Sequence, residues 1–429
     1  MSFTSSESRW GDVYLVAGAR AVTVCGDFLA ATTLALVLQQ SGHGGFAVSG
    51  LLVAASLPLA LLAPLTGRLA DRADSRTVLV IAGFAQALVC LALAFVSHPV
   101  AIIALVALLA CGLAVTQPTL SALLPGMVRR DDLARASGIT QTAGQVGMLI
   151  APALAGILVG LTGPRVPLLL DAVSYLALVV AGFALRTRRR GRPAGAAVAV
   201  ARWRLRDDRL LLVMVGAITA VVAGVGAINV VEVFFVRETL GGSATAYGFV
   251  VASWTLGMLG GSQLFGRLRH DRITVPGVLL LSAGTCLPVL ASAAVPGVGW
   301  IIPLWIAGGV CNGGINVFTT VLIADRVPAE VHGRAFAVLH ASVQGGSLAG
   351  LLAAGPLVEH FEPRGLVAAM GVAGLLAAAA CLPAVRTADV RTPAERASPE
   401  RTPAEQTPAE RVRPETPANP EQARDSVGA

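Results

Sequence analysis

Twelve apolar runs, each long enough to cross a bilayer as a helix, take up most of this chain. A helix needs about 20 apolar residues to span the hydrocarbon. The first six runs are Val13–Leu38, Ala47–Thr66, Thr77–Val96, Val100–Leu124, Ala136–Leu161 and Val166–Leu185. The second six are Leu210–Val236, Ala246–Phe265, Val275–Ala294, Val298–Ile323, Ala335–Val358 and Gly365–Ala384. Strands of a membrane barrel would be about half as long and would alternate apolar with polar residues. These runs do not alternate, so the expected fold class is an all-α membrane protein with twelve transmembrane helices. Composition agrees: 55% of the 429 residues are hydrophobic and 13% are charged, against about 25% charged in soluble domains.

The formal charge is +7, and every basic residue is Arg. Without Lys the chain cannot form the Gly-x-x-x-x-Gly-Lys-[Ser/Thr] phosphate loop, which excludes transport driven by its own P-loop ATPase. None of the six cysteines forms a Cys-x-x-Cys pair and all lie in apolar runs. They read as small buried hydrophobes, with no metal site and no disulfide framework. The first ten residues are polar and the first apolar run exceeds a signal h-region, so no cleavable signal peptide is expected.

Arginine sets the orientation. The loops after the even-numbered runs carry Arg68, Arg72 and Arg76; Arg129, Arg130 and Arg135; Arg186 to Arg209; and Arg267, Arg269 and Arg272. The opposite loops hold only Arg165, Arg237 and Arg364. By the positive-inside rule the Arg-rich loops and both termini face the cytoplasm of a multi-pass protein in the cell membrane. The expected organisation is a cytoplasmic N-terminus (1–12), a six-helix bundle (13–186), an Arg-rich linker (187–208), a second six-helix bundle (209–386) and a tail (387–429). The tail repeats Thr-Pro-Ala-Glu at Thr392–Glu395, Thr402–Glu405 and Thr407–Glu410 and is nearly free of large apolar residues, so it is expected to be disordered.

Shifted by 199 residues, the sequence partly matches itself. Gly67-Arg68-Leu69 falls on Gly266-Arg267-Leu268, Arg135-Ala136 on Arg334-Ala335, and Gln145, Gly147 and Gly156 on Gln344, Gly346 and Gly355. One unchanging offset implies two parallel six-helix repeats, an arrangement of secondary transporters that bind substrate near the midplane between the halves.

The loop after the second run reads Gly67-Arg68-Leu69-Ala70-Asp71-Arg72-Ala73-Asp74-Ser75-Arg76. It resembles the signature loop of the major facilitator superfamily, Gly-x-Leu-Ala-Asp-Arg-x-x-x-Arg, at every fixed position. The resemblance covers residues from about Val13 to Arg386. Gly67 is expected to turn the chain as helix 2 ends. Asp71, Arg72 and Arg76 can form a charge-assisted network at the membrane face. The resemblance implies that Asp71 meets the N-terminus of helix 11, whose dipole favours an anion, and latches the outward-facing state. The second copy keeps Gly266 and Arg267 but has His270 where Asp71 would fall.

Helix 5 carries Gly138, Gly147, Ala151-Pro152 and Ala155-Gly156, which resembles the antiporter signature of the same superfamily with two glycines replaced by Ala. Small residues let helices approach closely, and Pro152 removes a backbone hydrogen bond. This resemblance implies export. Arg20 through Gly26-Asp27, with Leu168–Ala172, is similar to the macrolide-efflux and enterobactin-exporter branch. Many proton-coupled members carry an Arg in the middle of helix 4 before a Gly; here Cys111 precedes Gly112.

An ionisable group deep in a membrane is costly and is a functional candidate. Asp27, Glu232 and Asp171 are therefore candidates for proton coupling, with Arg20 seven residues before Asp27 as a possible structural partner. Residues expected to line a central cavity are Arg20, Gln117, Gln145, Asn229, Asn312, Asn316 and Gln344. Trp254 and Trp305 are available to stack on a substrate, although core packing is the plainer role.

The sequence thus reads as a secondary active transporter: a monomeric, proton-coupled exporter of a drug-like or natural-product small molecule. Its partners are that substrate, protons and the lipid bilayer, without nucleic acid or cofactor, and no catalytic residue is expected. An importer of a nutrient or metabolite is the alternative; a polytopic membrane enzyme or scaffold is a remote one. Reporter fusions check the orientation. Alkaline phosphatase joined between residues 188 and 206 should be inactive, and joined after Gly163 or Gly241 it should be active.

Overall fold

The computed structural model describes residues 8–40, 44–72, 74–129, 132–187, 205, 208–269, 272–327 and 332–396, with side chains described for all but 63–72, 122, 134, 332–334 and 384–396. Every regular element among them is helical, because in hydrocarbon each backbone polar group must find its partner within the segment. The first half comprises α1 (Trp10–Gln40), α2 (Gly44–Arg72), α3 (Ser75–Leu93), α4 (Pro99–Met127), α5 (Leu133–Thr162) and α6 (Arg165–Ala184). The second comprises α7 (Arg209–Val225), α8 (Ile228–Phe234) with a π-turn at Phe235–Thr239, α9 (Ala244–Phe265), α10 (Val275–Ser292), α11 (Ile301–Arg326), α12 (His332–His360) and α13 (Pro363–Arg396).

Adding 199 to each helix start in the first half gives the matching start in the second to within one residue, except for α4, whose mate α11 begins three residues later, after a 3-10 turn. Trp10 falls on Arg209, Ser75 on residue 274, Pro99 on Val298 of the 3-10 turn that leads into α11, and Leu133 on His332. Outward faces repeat too. Ile81 and its mate Leu280 are 65% and 74% exposed, and Leu88 and Leu287 are 53% and 54% exposed. Large apolar side chains left bare at matched positions of both halves need a hydrocarbon solvent.

Eleven of these segments are long and apolar enough to cross a membrane. The twelfth is α9, whose glycines and polar residues dilute its apolar character. It packs by close backbone approach instead. Cβ atoms placed on Gly257 and Gly261 would lie 2.2 and 2.1 Å from the carbonyl oxygens of Ile306 and Val310 in α11. Placed on Gly309 and Gly313, they would lie 2.3 and 2.2 Å from those of Trp254 and Met258. Two small-xxx-small faces thus interlock.

Three expectations change. α2 continues through Arg72, so Gly67 lies inside a helix and does not turn the chain; α3 begins at Ser75, where Asp74 accepts from the Thr77 backbone N–H at 3.2 Å and caps it. The seventh span is broken at Gly226–Ala227 and is not one continuous helix. α13 runs to Arg396, beyond the expected end near Ala384 and into the stretch expected to be disordered. Residues 1–388 form one compact unit and 389–429 a second. Residues 397–429, most of the linker, and His270, Asp271 and Arg130 lie outside the described residues.

The halves meet at the end of the bundle that carries the Arg-poor loops. There α5 crosses α9 and α12 crosses α2. A Cβ on Gly156 would lie 2.5 Å from the Ala244 carbonyl oxygen, and one on Gly248 would lie 2.2 Å from that of Pro152. At the repeat-related crossing, a Cβ on Gly45 would lie 2.7 Å from the Gly355 carbonyl oxygen, and Ser49, the mate of Gly248, donates its hydroxyl to Leu351 O. Gln39 donates to Glu238 at 2.9 Å. These two are also repeat mates, and they meet each other on the pseudo-two-fold axis.

Gly248→Val should force the α5/α9 crossing apart. In a protein lacking its six cysteines, Gln39→Cys with Glu238→Cys should crosslink readily. Adding Gly248→Val should lower the yield about tenfold, the effect of about 1.4 kcal/mol of overpacking.

Candidate functional site

A cavity of about 470 Å³ lies between the halves. Its lining comes from the second half apart from Phe28, Met148 and Pro152. It runs from Glu232, under the sealed Arg-poor end, toward the Arg-rich end, where Thr320 and His340 line it. The break in the seventh span shapes its floor. A Cβ on Gly226 would lie 2.6 Å from the Val222 carbonyl oxygen and 3.4 Å from Ser347 of α12. After the break, α8 presents Asn229 and Glu232 to the cavity one turn apart. A discontinuous helix that lines a cavity is a recurrent device of transporter sites.

Glu232 is buried and is hydrogen-bonded by the Trp305 side chain. Trp305 meets Trp254 edge to face with ring centroids 6.1 Å apart, and Trp254 in turn lies against Gly308, where a Cβ would come within 2.7 Å of its ring. On α11, Asn312 and Asn316 face the cavity one turn apart. Glu232 is the one carboxylate in this lining among the described residues, and no Arg joins it.

A second polar cluster sits inside the first half, outside the cavity lining. Asp27 of α1 accepts a hydrogen bond from the Tyr175 hydroxyl of α6. Asp171, one turn before Tyr175, accepts from Cys90 Sγ at 2.9 Å and from Ser174 Oγ at 3.1 Å. Asp171, Cys90 and Tyr175 are almost completely buried. Gly26 makes the fit possible: a Cβ there would lie 2.2 Å from Ser174 Oγ and 2.3 Å from Asp171 Oδ1. The structure thus joins two carboxylates that the sequence presents as separate candidates. It separates Arg20 from Asp27: the guanidinium packs on Gly144 of α5 and donates to Gln141 at 3.0 Å.

Asn229, Asn312 and Asn316 line the cavity; Arg20, Gln117, Gln145 and Gln344 do not. In α5, Gly147 touches α1 (a Cβ would lie 2.5 Å from the Ala21 carbonyl oxygen), whereas Pro152 and Gly156 belong to the crossing with α9. Gly138 has open space around it. In the loop motif, the side chains of Gly67, Asp71 and Arg72 lie outside the described ones, and Arg76 stacks over the Phe183 ring at 5.0 Å. Sequence reasoning passed over Tyr175, Ser174 and Cys90 as carboxylate partners, and over the paired glycines of α9 and α11. The i, i+4 spacing of Asp171 with Tyr175 and of Gly257 with Gly261 was the available signal.

Comparison with known proteins agrees with this architecture. A family model described as "Transmembrane secretion effector" matches residues 15–415. An uncharacterized MFS-type transporter of Bacillus subtilis (strain 168), YfiS, is 23% identical over 356 residues, which cover 79% of this chain and 84% of that protein. The fold is similar to that of a bacterial homologue of the human lysosomal transporter Spinster, solved inward-facing and unoccupied, with TM-score 0.66, 14% identity and coverage of 90% of this chain and 96% of that one. It is also similar to that of the nucleoside transporter NupG, with TM-score 0.69, 14% identity and coverage of 87% and 99%.

Gly26→Val should crowd the Asp27–Asp171 cluster. Thermal unfolding in detergent should show a loss of about 1–3 kcal/mol, the usual cost of an overpacked core.

Proposed function

The chain belongs to the transmembrane secretion effector family of major facilitator transporters, and from that premise we propose that it is a proton-coupled exporter of drug-like or natural-product small molecules. The observation that carries this reading is the cavity itself, closed above Glu232 at the Arg-poor end and extending toward the Arg-rich end. With the Arg-rich end in the cytoplasm, as the positive-inside rule requires, this conformation loads from inside the cell. The family's description as a secretion effector and the small-residue pattern of α5 favour export over import.

In this reading the protein works as a monomer in the cell membrane. Separating the glycine crossings at the Arg-poor end and closing the Arg-rich end exposes the cavity to the other side. Asp71 then engages the start of α12, which lies at the Arg-rich end with the loop motif, and latches the alternate state. Coupling resides in Glu232, which meets the substrate cavity, and in the Asp27–Asp171 pair within the first half. A carboxylate that gains a proton in one access state and releases it in the other drives the cycle. Similarity to the macrolide-efflux and enterobactin-exporter branch supports the same direction.

Overexpression should raise tolerance to toxic amphipathic compounds, and a protonophore should abolish the gain. Asp27→Asn should reduce proton-driven efflux by at least about tenfold at unchanged membrane abundance, as loss of an intramembrane coupling group implies. Efflux that persists at full rate removes Asp27 from coupling, and lower uptake in a deletion strain favours import.

A further inference from the structure

We propose that the cavity selects organic monocations: amphipathic molecules whose positive centre pairs with Glu232 while an apolar, aromatic body lies against Trp254. The inference rests on this cavity being the transport site and adds the charge of what it takes.

The carboxylate of Glu232 faces the cavity without an Arg beside it among the described lining residues. The Trp305 side chain supplies a hydrogen bond to it, which leaves acceptor capacity for a ligand. The remaining polar lining offers acceptors beside donors: the amides of Asn229, Asn312 and Asn316 supply both. Ser282, Thr285 and Thr320 spend their hydroxyl protons on carbonyl oxygens of their own helices, at 2.8, 3.0 and 2.7 Å. Their oxygens keep lone pairs free to accept. Thr319 is nine-tenths buried in the same lining, and its Oγ1 lacks a hydrogen-bond partner. An anion would meet Glu232 with repulsion and no Arg to offset it among the described lining residues, whereas a cation meets a carboxylate, hydroxyl and amide oxygens and two indole rings. Val221, Val222, Val225, Val251 and Leu339 supply apolar wall for the rest of the molecule.

Two ions of the same shape and opposite charge test this directly: tetraphenylphosphonium and tetraphenylborate, each measured by equilibrium dialysis against the purified full-length protein in detergent. Tetraphenylphosphonium should bind saturably, and tetraphenylborate at least about tenfold more weakly. Glu232→Gln should weaken the cation by at least about tenfold, and Trp254→Ala by a few fold, with melting curves showing both variants folded. Equal binding of the two ions, binding of neither, or a cation affinity unchanged by Glu232→Gln overturns the proposal. Should Glu232→Gln fail to fold, the comparison of the two ions on the unaltered protein decides alone. Proteoliposomes separate this inference from the one beneath it. Charge-selective binding without proton-driven export upholds the cation site and overturns the export reading; proton-driven export of neutral compounds with no cation preference does the reverse.

Discussion

Backbone touches backbone where α5 crosses α9 and where α2 crosses α12, and the form of the cavity depends on those two contacts. In hydrocarbon, apolar side chains gain little by leaving lipid for one another, so association relies on close packing and on polar contacts. Gly156 and Gly248 bring two helices to van der Waals distance at one crossing; Gly45 and Gly355 do so at the other. Because the crossings are repeat-related, they seal one end of the bundle symmetrically. Gln39 and Glu238 join over the axis between them. The other end is left for the cavity.

The symmetry of the frame does not extend to its contents. The first half holds its carboxylates, Asp27 and Asp171, in a buried network with Tyr175, Ser174 and Cys90. The second half breaks its leading helix at Gly226 and turns Glu232 into the cavity. Its α9 and α11 are drawn together by interlocked glycines, at positions where the first half has Pro58, Leu62, Ala110 and Ala114. One duplicated scaffold therefore carries two chemistries, a buried polar network on one side and the polar wall of the cavity on the other. In the proposed mechanism this division lets protonation in the first half and binding in the second bias the same two-state crossing.

Length, apolarity and arginine placement made the membrane setting, the helical class and the repeat legible from residues alone. The 199-residue offset seen in a few charged and glycine matches holds at the helix starts of both halves. The run that becomes α9 is legible as a span, and the glycines that lower its apolar character are what let it pack, a role its composition does not show. The turn after α2 was misplaced at Gly67 because glycine within a helix is tolerated when packing supports it, while the actual stop is set by Asp74 capping the next helix.

What the sequence determined by itself is the solvent this chain requires, the number of crossings and the duplication, since each follows from local runs and a fixed period. It also marked Asp27, Asp171 and Glu232, because a carboxylate in an apolar run is anomalous wherever it folds. The tertiary structure alone decided which of these meet. Asp27 and Asp171 lie far apart in sequence, and only the packing of α1 on α6 across Gly26 joins them. Arg20 turns to Gln141, not Asp27, because its side chain crosses to α5. Glu232 reaches the cavity because the helix breaks one turn before Asn229. These are contacts between faces of different helices, and the period along one helix carries no information about the rotation of its neighbour.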